Sequence, residues 1–414
     1  MTTIIRAEAA HDFLALVPTL VGYRPSQSLL CVAFVGNRTA GVLRHDLPGD
    51  APARDALVAS VVGTLCRMVQ ADAVVPVVYT SARFAEGGLP ERDLLQGVVR
   101  RAEEAGFLVR DALCVAADGW GSLLDAELPA TGRALELIER SPLGRHAEDL
   151  REPADSAADL VRIPAADPAV AARVGEILAS LRALDADGAD GEPGAPMGLE
   201  ADPLLDLDAA IGDALDPFVA AELLARGDRA TSPEMLAWLV RLASCAPFRD
   251  AMMLQVAFGP AIGELALDCA DEAAGRSVDP EEPCGDRPPA DSDGPTDGES
   301  TEEFLSRLLI GHAGARPDVV RIERALETLV VAIANAPEPE RAGALCVAGW
   351  LAWSLGRSSS AGALVDLALE ADERHSMARL LHRFIGMGAL PEWAFSAPIP
   401  GSGEPTDDDG RSPR

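Results

Sequence analysis

The sequence predicts an α+β/α architecture: an N-terminal α/β domain with a mixed sheet covered by helices, followed by an all-helical C-terminal domain. Three observations predict it. Short apolar runs of strand length alternate with helical periodicities over residues 1–184; every periodic segment beyond Asp206 is helical; and a Gly- and Asp-rich stretch, residues 185–204, divides the two regimes as an acidic linker. A chain of 414 residues is also long for one core, and two domains of ordinary size fit it.

Taken in order, residues 12–21 carry apolar side chains at helical spacing, and Gly22 supplies a left-handed stop. Residues 28–35 form an apolar run short enough for a buried strand, and Gly36-Asn37 turns it into a second strand at 40–47. A helix at 54–70, a buried strand at 73–79, a helix at 89–105 and a strand at 107–115 follow, then weaker helical patterns at 131–139 and a firm one at 168–184. The second half reads as helices at 216–225, 233–244, 249–258, 261–271, 304–311, 318–335, 338–355, 360–370 and 375–386. Residues 271–303 hold twelve acids against Arg276 and Arg287 and almost nothing large to bury, so they read as a disordered insertion. It splits the helical domain into 205–270 and 304–397, and residues 398–414 read as a disordered tail.

Composition excludes several chemistries. A formal charge of −31 repels phosphate backbones and anionic membrane surfaces, so neither a nucleic acid nor a membrane is an expected partner. The 35 basic side chains are all Arg. Without lysine there is no Schiff-base residue, no pyridoxal-phosphate anchor and no P-loop. The seven cysteines form no C-x-x-C pair, which reads as reduced thiols in a cytoplasm. Arg6, Glu8 and Asp12 interrupt the N-terminus, which does not read as a signal peptide, and the longest uncharged stretch, 342–356, is too short to cross a bilayer.

The run Asp12-Phe-Leu-Ala-Leu-Val-Pro-Thr-Leu-Val-Gly-Tyr-Arg-Pro-Ser-Gln-Ser-Leu30 resembles the opening of the actinobacterial family called domain of unknown function 4192. Asp118-Gly119-Trp120, Arg249-Asp250, residues 353–361 and the closing Gly388-Ala-Leu-Pro391 with Trp393 follow in that family's order. The resemblance implies the fold organisation and a cytoplasmic setting, and brings no catalytic residue. A narrower one lies at 345–376, where Gly349, Gly356, Ala361 and Ala368 fall at the small positions of a tetratricopeptide repeat; its large positions fit less well and a solenoid needs three or more copies, so the single copy reads first as a plain helical hairpin.

The loop Gly22 to Ser28 combines Gly, Pro, Arg and two Ser between a helix and a strand. Arg24 fits as a cation closing that helix, and Arg24, Ser26 and Ser28 are the loop's candidate ligand contacts. Asp118 and Trp120 follow a strand, where open α/β sheets hold ligands, although Asp-Gly is also an ordinary turn. His45-Asp46 and His11-Asp12 cannot act as paired acid and base, because neighbours point apart on a strand and sit about 100° apart on a helix. The acidic runs fail the calcium-loop template, no clustered Cys/His set exists, and neither metal nor cofactor is called for. Trp350 and Trp353, two tryptophans in a chain poor in aromatics, are the candidate partner contacts. The expectation is a protein-interaction or regulatory module with an unidentified protein partner, and the alternative is a small-molecule binder or enzyme using the strand-end loops of the α/β domain.

Overall fold

The computed structural model describes residues 7, 9–150, 152–190, 203–227, 232–275 and 299–395. Its N-terminal region is built on strands β1 (Ser28–Val35), β2 (Arg38–Asp46), β3 (Ala73–Tyr79), β4 (Leu108–Val109), β5 (Leu113–Val115) and β6 (Trp120–Ser122). The spatial order is β2-β1-β3-β5-β6, with β4 also on β3. The sheet is mixed: β3 runs parallel to β4 and β5, whereas the β1–β2, β1–β3 and β5–β6 pairs are antiparallel.

Helices cover both faces, which is why β1 and β3 read as unbroken apolar runs rather than as alternating ones. Leu29, Cys31, Ala33, Val74 and Val78 pack on one face with residues of α2 (Ala51–Arg67) and α3 (Arg92–Glu104). Leu30, Val32, Phe34, Val75, Val77 and Tyr79 pack on the other, against Leu14 and Val17 of α1 (Ala10–Val21). Two short helices, α4 (Glu136–Glu139) and α5 (Pro142–Leu150), lie against α1. Gly22 caps α1 in the left-handed conformation and donates its N–H to Pro18.

The strand expected over 107–115 is two pieces. Pro76 pairs with Cys31 on one side, and on the other it falls at the gap between the β3–β4 and β3–β5 pairings. Proline has no N–H for a ladder, so the neighbouring strand parts beside it. Helix over 131–139 shrinks to the single turn of α4, and β6 and α5 appear where no element was expected.

The C-terminal region is helical throughout its described residues: α6 (Pro168–Asp190), α7 (Pro203–Ile211), α8 (Pro217–Arg226), α9 (Pro233–Ser244), α10 (Ala246–Phe258), α11 (Pro260–Gly275), α12 (Thr301–Leu309), α13 (Val319–Asn335), α14 (Arg341–Ser354), α15 (Ser358–Ala371) and α16 (Ser376–Gly386). Helix α6 runs into the stretch read as linker, whose remaining residues 191–202 lie outside the described ones. Likewise α11 continues to Gly275, and Ser300 opens α12 with a reciprocal capping box to Glu303. Between them, residues 276–298 of the expected insertion lie outside the described residues, as do 396–414.

Helix α14 is the axis of this region. It is buried from Ala342 to Ser354 and packs on α9, α10, α13, α15 and α16, which matches its apolar character on every side. Close approach needs small residues: a Cβ on Gly343 would come 2.5 Å from the carbonyl oxygen of Ala243. Trp350 and Trp353 lie on this buried helix. Their indole N–H groups donate to the carbonyls of Leu309 and Ala389, each at 2.8 Å. Both are fully buried core residues and present no surface to a partner, which corrects their reading as docking residues.

The closing segment joins the two regions. Leu390 packs against the sheet core, Trp393 belongs to the helical core, and the Arg67 guanidinium lies 4.1 Å over the Phe395 ring.

Candidate functional site

The loop from Gly22 to Ser28 and the turn at Asp118 lie at one edge of the sheet, where β1 begins and β3 and β5 end. Gln27, in the left-handed conformation, accepts the N–H of Ser81 at 2.6 Å and ties the loop to the end of β3. Of the polar side chains there, Arg24, Gln27 and Asp118 are engaged in holding the fold, whereas the buried hydroxyls of Ser28 and Tyr79 have no hydrogen-bond partner. Arg24 pairs with Glu148 of α5 at 3.1 Å in an exposed contact, while Gly22 closes α1, so the expected capping role for Arg24 is not the one found. Ser26 is exposed. Ser28 is fully buried at the start of β1, directly opposite Tyr79.

Asp118 accepts the N–H groups of Phe84 (2.9 Å) and Ala85 (3.3 Å) and so opens the short helical turn Phe84–Glu86. Desolvation would raise its pKa, but these amides outweigh it and hold the carboxyl below the usual carboxylate range. It is a structural cap.

Trp120 leads elsewhere. Its ring is buried on the α1 face, its Nε1–H donates to the Ala134 carbonyl at 3.1 Å, and its backbone exchanges both hydrogen bonds with Arg133. The ring borders a cleft of about 540 Å³ that opens at the amino end of β5. The cleft is lined by the start of α1 with its N-cap Ala9, by Arg110 and Asp111 just before β5, by Trp120 and Ser122 of β6, and by Leu124, Asp125, Arg133 and Leu137.

The cleft's polar groups converge. Ser122 donates to Asp111 at 2.5 Å and accepts the N–H of Leu124 at 3.0 Å, and Asp111 also accepts the N–H of Ala112 at 2.8 Å. Arg133 donates to Asp125 at 2.5 Å; that bond and the Glu127 amide hold the Asp125 carboxyl below its usual range. The Arg110 guanidinium donates to the Gly36 carbonyl and lies 4.7 Å over the Phe34 ring. His11 also lines the cleft, its ring 6.2 Å from that of Trp120.

Of the five ligand-contact candidates in the sequence, then, only Trp120 lies at this cleft. His11 enters the sequence reading only as half of an acid–base pair that its spacing from Asp12 excludes, and Arg110, Asp111, Ser122, Asp125 and Arg133 escaped sequence reasoning. The strand-end rule points to the carboxyl ends of β3 and β5, whereas the cleft is at the other end. Pairs such as Ser122–Asp111 and Arg133–Asp125 arise from the β5–β6 hairpin and the Trp120–Arg133 bridge, which no periodicity announces.

No group of three or more His, Cys, Asp or Glu placed to hold a metal exists among the described residues, and none of their helices is long and apolar enough to cross a membrane. No curated protein and no solved structure matches the chain. The family model described as domain of unknown function (DUF4192) matches residues 11–278 and 318–392, which take in the sheet, the cleft apart from Ala9 and Ala10, and most of the helical region; the chain belongs to that family.

Proposed function

We propose that this is a cytoplasmic small-molecule-binding protein that takes its ligand in the cleft between the first turn of α1 and the β5–β6 edge. One observation carries the reading: an open cleft whose lining brings together Trp120, the apolar side chains of Leu124 and Leu137 and several polar side chains, a combination that small-molecule sites use. Binding is proposed rather than catalysis. The cleft's hydroxyl, on Ser122, is buried and engaged on both its donor and acceptor sides, so it is not poised as a nucleophile. The reading as a partner-docking module offered Trp350 and Trp353 as its contacts, and their burial leaves it without those contacts.

The cytoplasmic setting is supported by the buried thiols Cys31, Cys114 and Cys346, which burial pushes up to about 12 and which serve as packing groups.

A thermal-shift screen of soluble metabolites tests the proposal, run in parallel on Ala9→Phe. Ala9 has an extended backbone that any side chain adopts and lines the cleft, so a ring there would take up space beside it. A ligand at 100 times its Kd adds about 2.7 kcal/mol of stability. The proposal expects a hit that Ala9→Phe abolishes, and a screen whose hits are all retained by Ala9→Phe contradicts it.

A further inference from the structure

We infer that the cleft selects a small anionic ligand on a planar apolar body, that is, a carboxylate or phosphate monoester carried by a ring. The inference rests on the cleft being the binding site and follows from which of its polar groups are already engaged. Both carboxylates are met by donors of their own chain. Asp125 accepts Arg133 through Oδ2 and the Glu127 N–H through Oδ1, and Asp111 Oδ1 accepts both Ser122 and the Ala112 N–H. The cations are less fully engaged. A guanidinium carries five N–H donors in a rigid fork. Among the described residues, Arg133 directs only Nη2 to Asp125 and Arg110 only Nη2 to Gly36.

Each of these two lining arginines therefore keeps Nε and Nη1 without a partner among the described residues, while only one oxygen of the two lining carboxylates, Asp111 Oδ2, lacks a donor. The surplus is of donors, and a ligand that completes it brings acceptors. A planar oxyanion suits a guanidinium fork better than a point acceptor does. Two charged arginines also stand out on a chain whose formal charge is −31, which elsewhere disfavours anions.

The rest of the lining sets the ligand's body. Trp120 and His11 bring aromatic rings to the lining, and Leu124 and Leu137, each about half exposed, add apolar surface to it. A ring seated there would bury those side chains, and a bare anion would leave them in water.

Isothermal titration of the full chain with phenyl phosphate, benzoate, benzylamine and benzyl alcohol tests this, since the four share a ring and differ in charge. The two anions should bind at least tenfold more tightly than the amine or the alcohol. Arg110→Gln should weaken anion binding about tenfold or more, and so should the double variant Asp125→Asn with Arg133→Gln, which removes both partners and leaves no unpaired charge. Circular dichroism melts check that each variant is folded. Tighter binding of benzylamine, or equal binding of all four, overturns the anionic class while leaving the cleft in place. No heat from any of the four at millimolar concentration also overturns the class; the cleft itself then falls only if the metabolite screen gives no hit that Ala9→Phe removes.

Discussion

His45 of β2 packs against Gly388, so closely that a Cβ on Gly388 would come 2.8 Å from the imidazole Cε1. Gly388 also sits at φ +73, in the left-handed region. This contact is one of those by which the closing segment fastens the helical region to the sheet. Gly388→Ala meets both obstacles at once, and a non-glycine residue held in such a conformation costs on the order of 1–3 kcal/mol. Urea denaturation should show a loss in that range.

The imidazole of His375 opens α16: its Nδ1 accepts the N–H of Ala378 at 3.2 Å and lies 3.6 Å from Cys346 Sγ. Burial, and then the Arg249 charge, lower its pKa below the ordinary 6.5, with Asp372 opposing. The unfolded chain therefore takes up this proton first as pH falls. The stability His375 contributes is full above about 6.5 and is lost as pH drops from there through the folded value. His45, lowered chiefly by its own burial, acts with the same sign. Asparagine caps a helix without titrating. Urea midpoints between pH 5 and 8 should thus fall less steeply on the acid side for His375→Asn than for the natural chain.

Glu222 of α8 and Arg321 of α13 form a two-pronged pair at 2.5 and 3.2 Å, and Glu222 also accepts from Gln255 at 3.1 Å. Removing one member strands a largely buried charge, which costs about 3–5 kcal/mol, whereas replacing both with apolar groups of similar volume is often neutral. Glu222→Ala should therefore be much more damaging than Glu222→Met with Arg321→Met. Equal losses in denaturant titrations would contradict this account of the helical core.

Trp350 is fully buried, with its indole N–H on the Leu309 carbonyl. Trp350→Ala should cost about 3–5 kcal/mol as measured by chemical denaturation, the range for emptying a large aromatic site. A change within 0.5 kcal/mol would return this residue to the surface role that scarcity of aromatics had first implied.

What the sequence made legible follows from locality. Residues 28–35 and 73–79 announce buried strands because both faces are covered, and Ser28–Val35 and Ala73–Tyr79 are the strands found. Trp120–Ser122 was invisible as a strand: three residues after an Asp-Gly pair look like a turn, and only pairing with β5 makes them extended. The cleft was illegible for the same reason, since Arg133 reaches Trp120 and Asp125 through a loop. Trp350 and Trp353 show the opposite failure. Rarity suggested a surface role, while the apolar residues on every side of 342–353 were the cue that this helix lies inside.

The most direct measurement of the central claim is the ¹H–¹⁵N spectrum of the five tryptophan indoles, recorded while pooled small metabolites are added to the full chain. Trp120 borders the cleft, whereas Trp350, Trp353 and Trp393 lie in the helical core. The account predicts that the Trp120 signal shifts and that those three stay in place. Movement confined to the helical-core indoles, with Trp120 unmoved at saturating ligand, would contradict it.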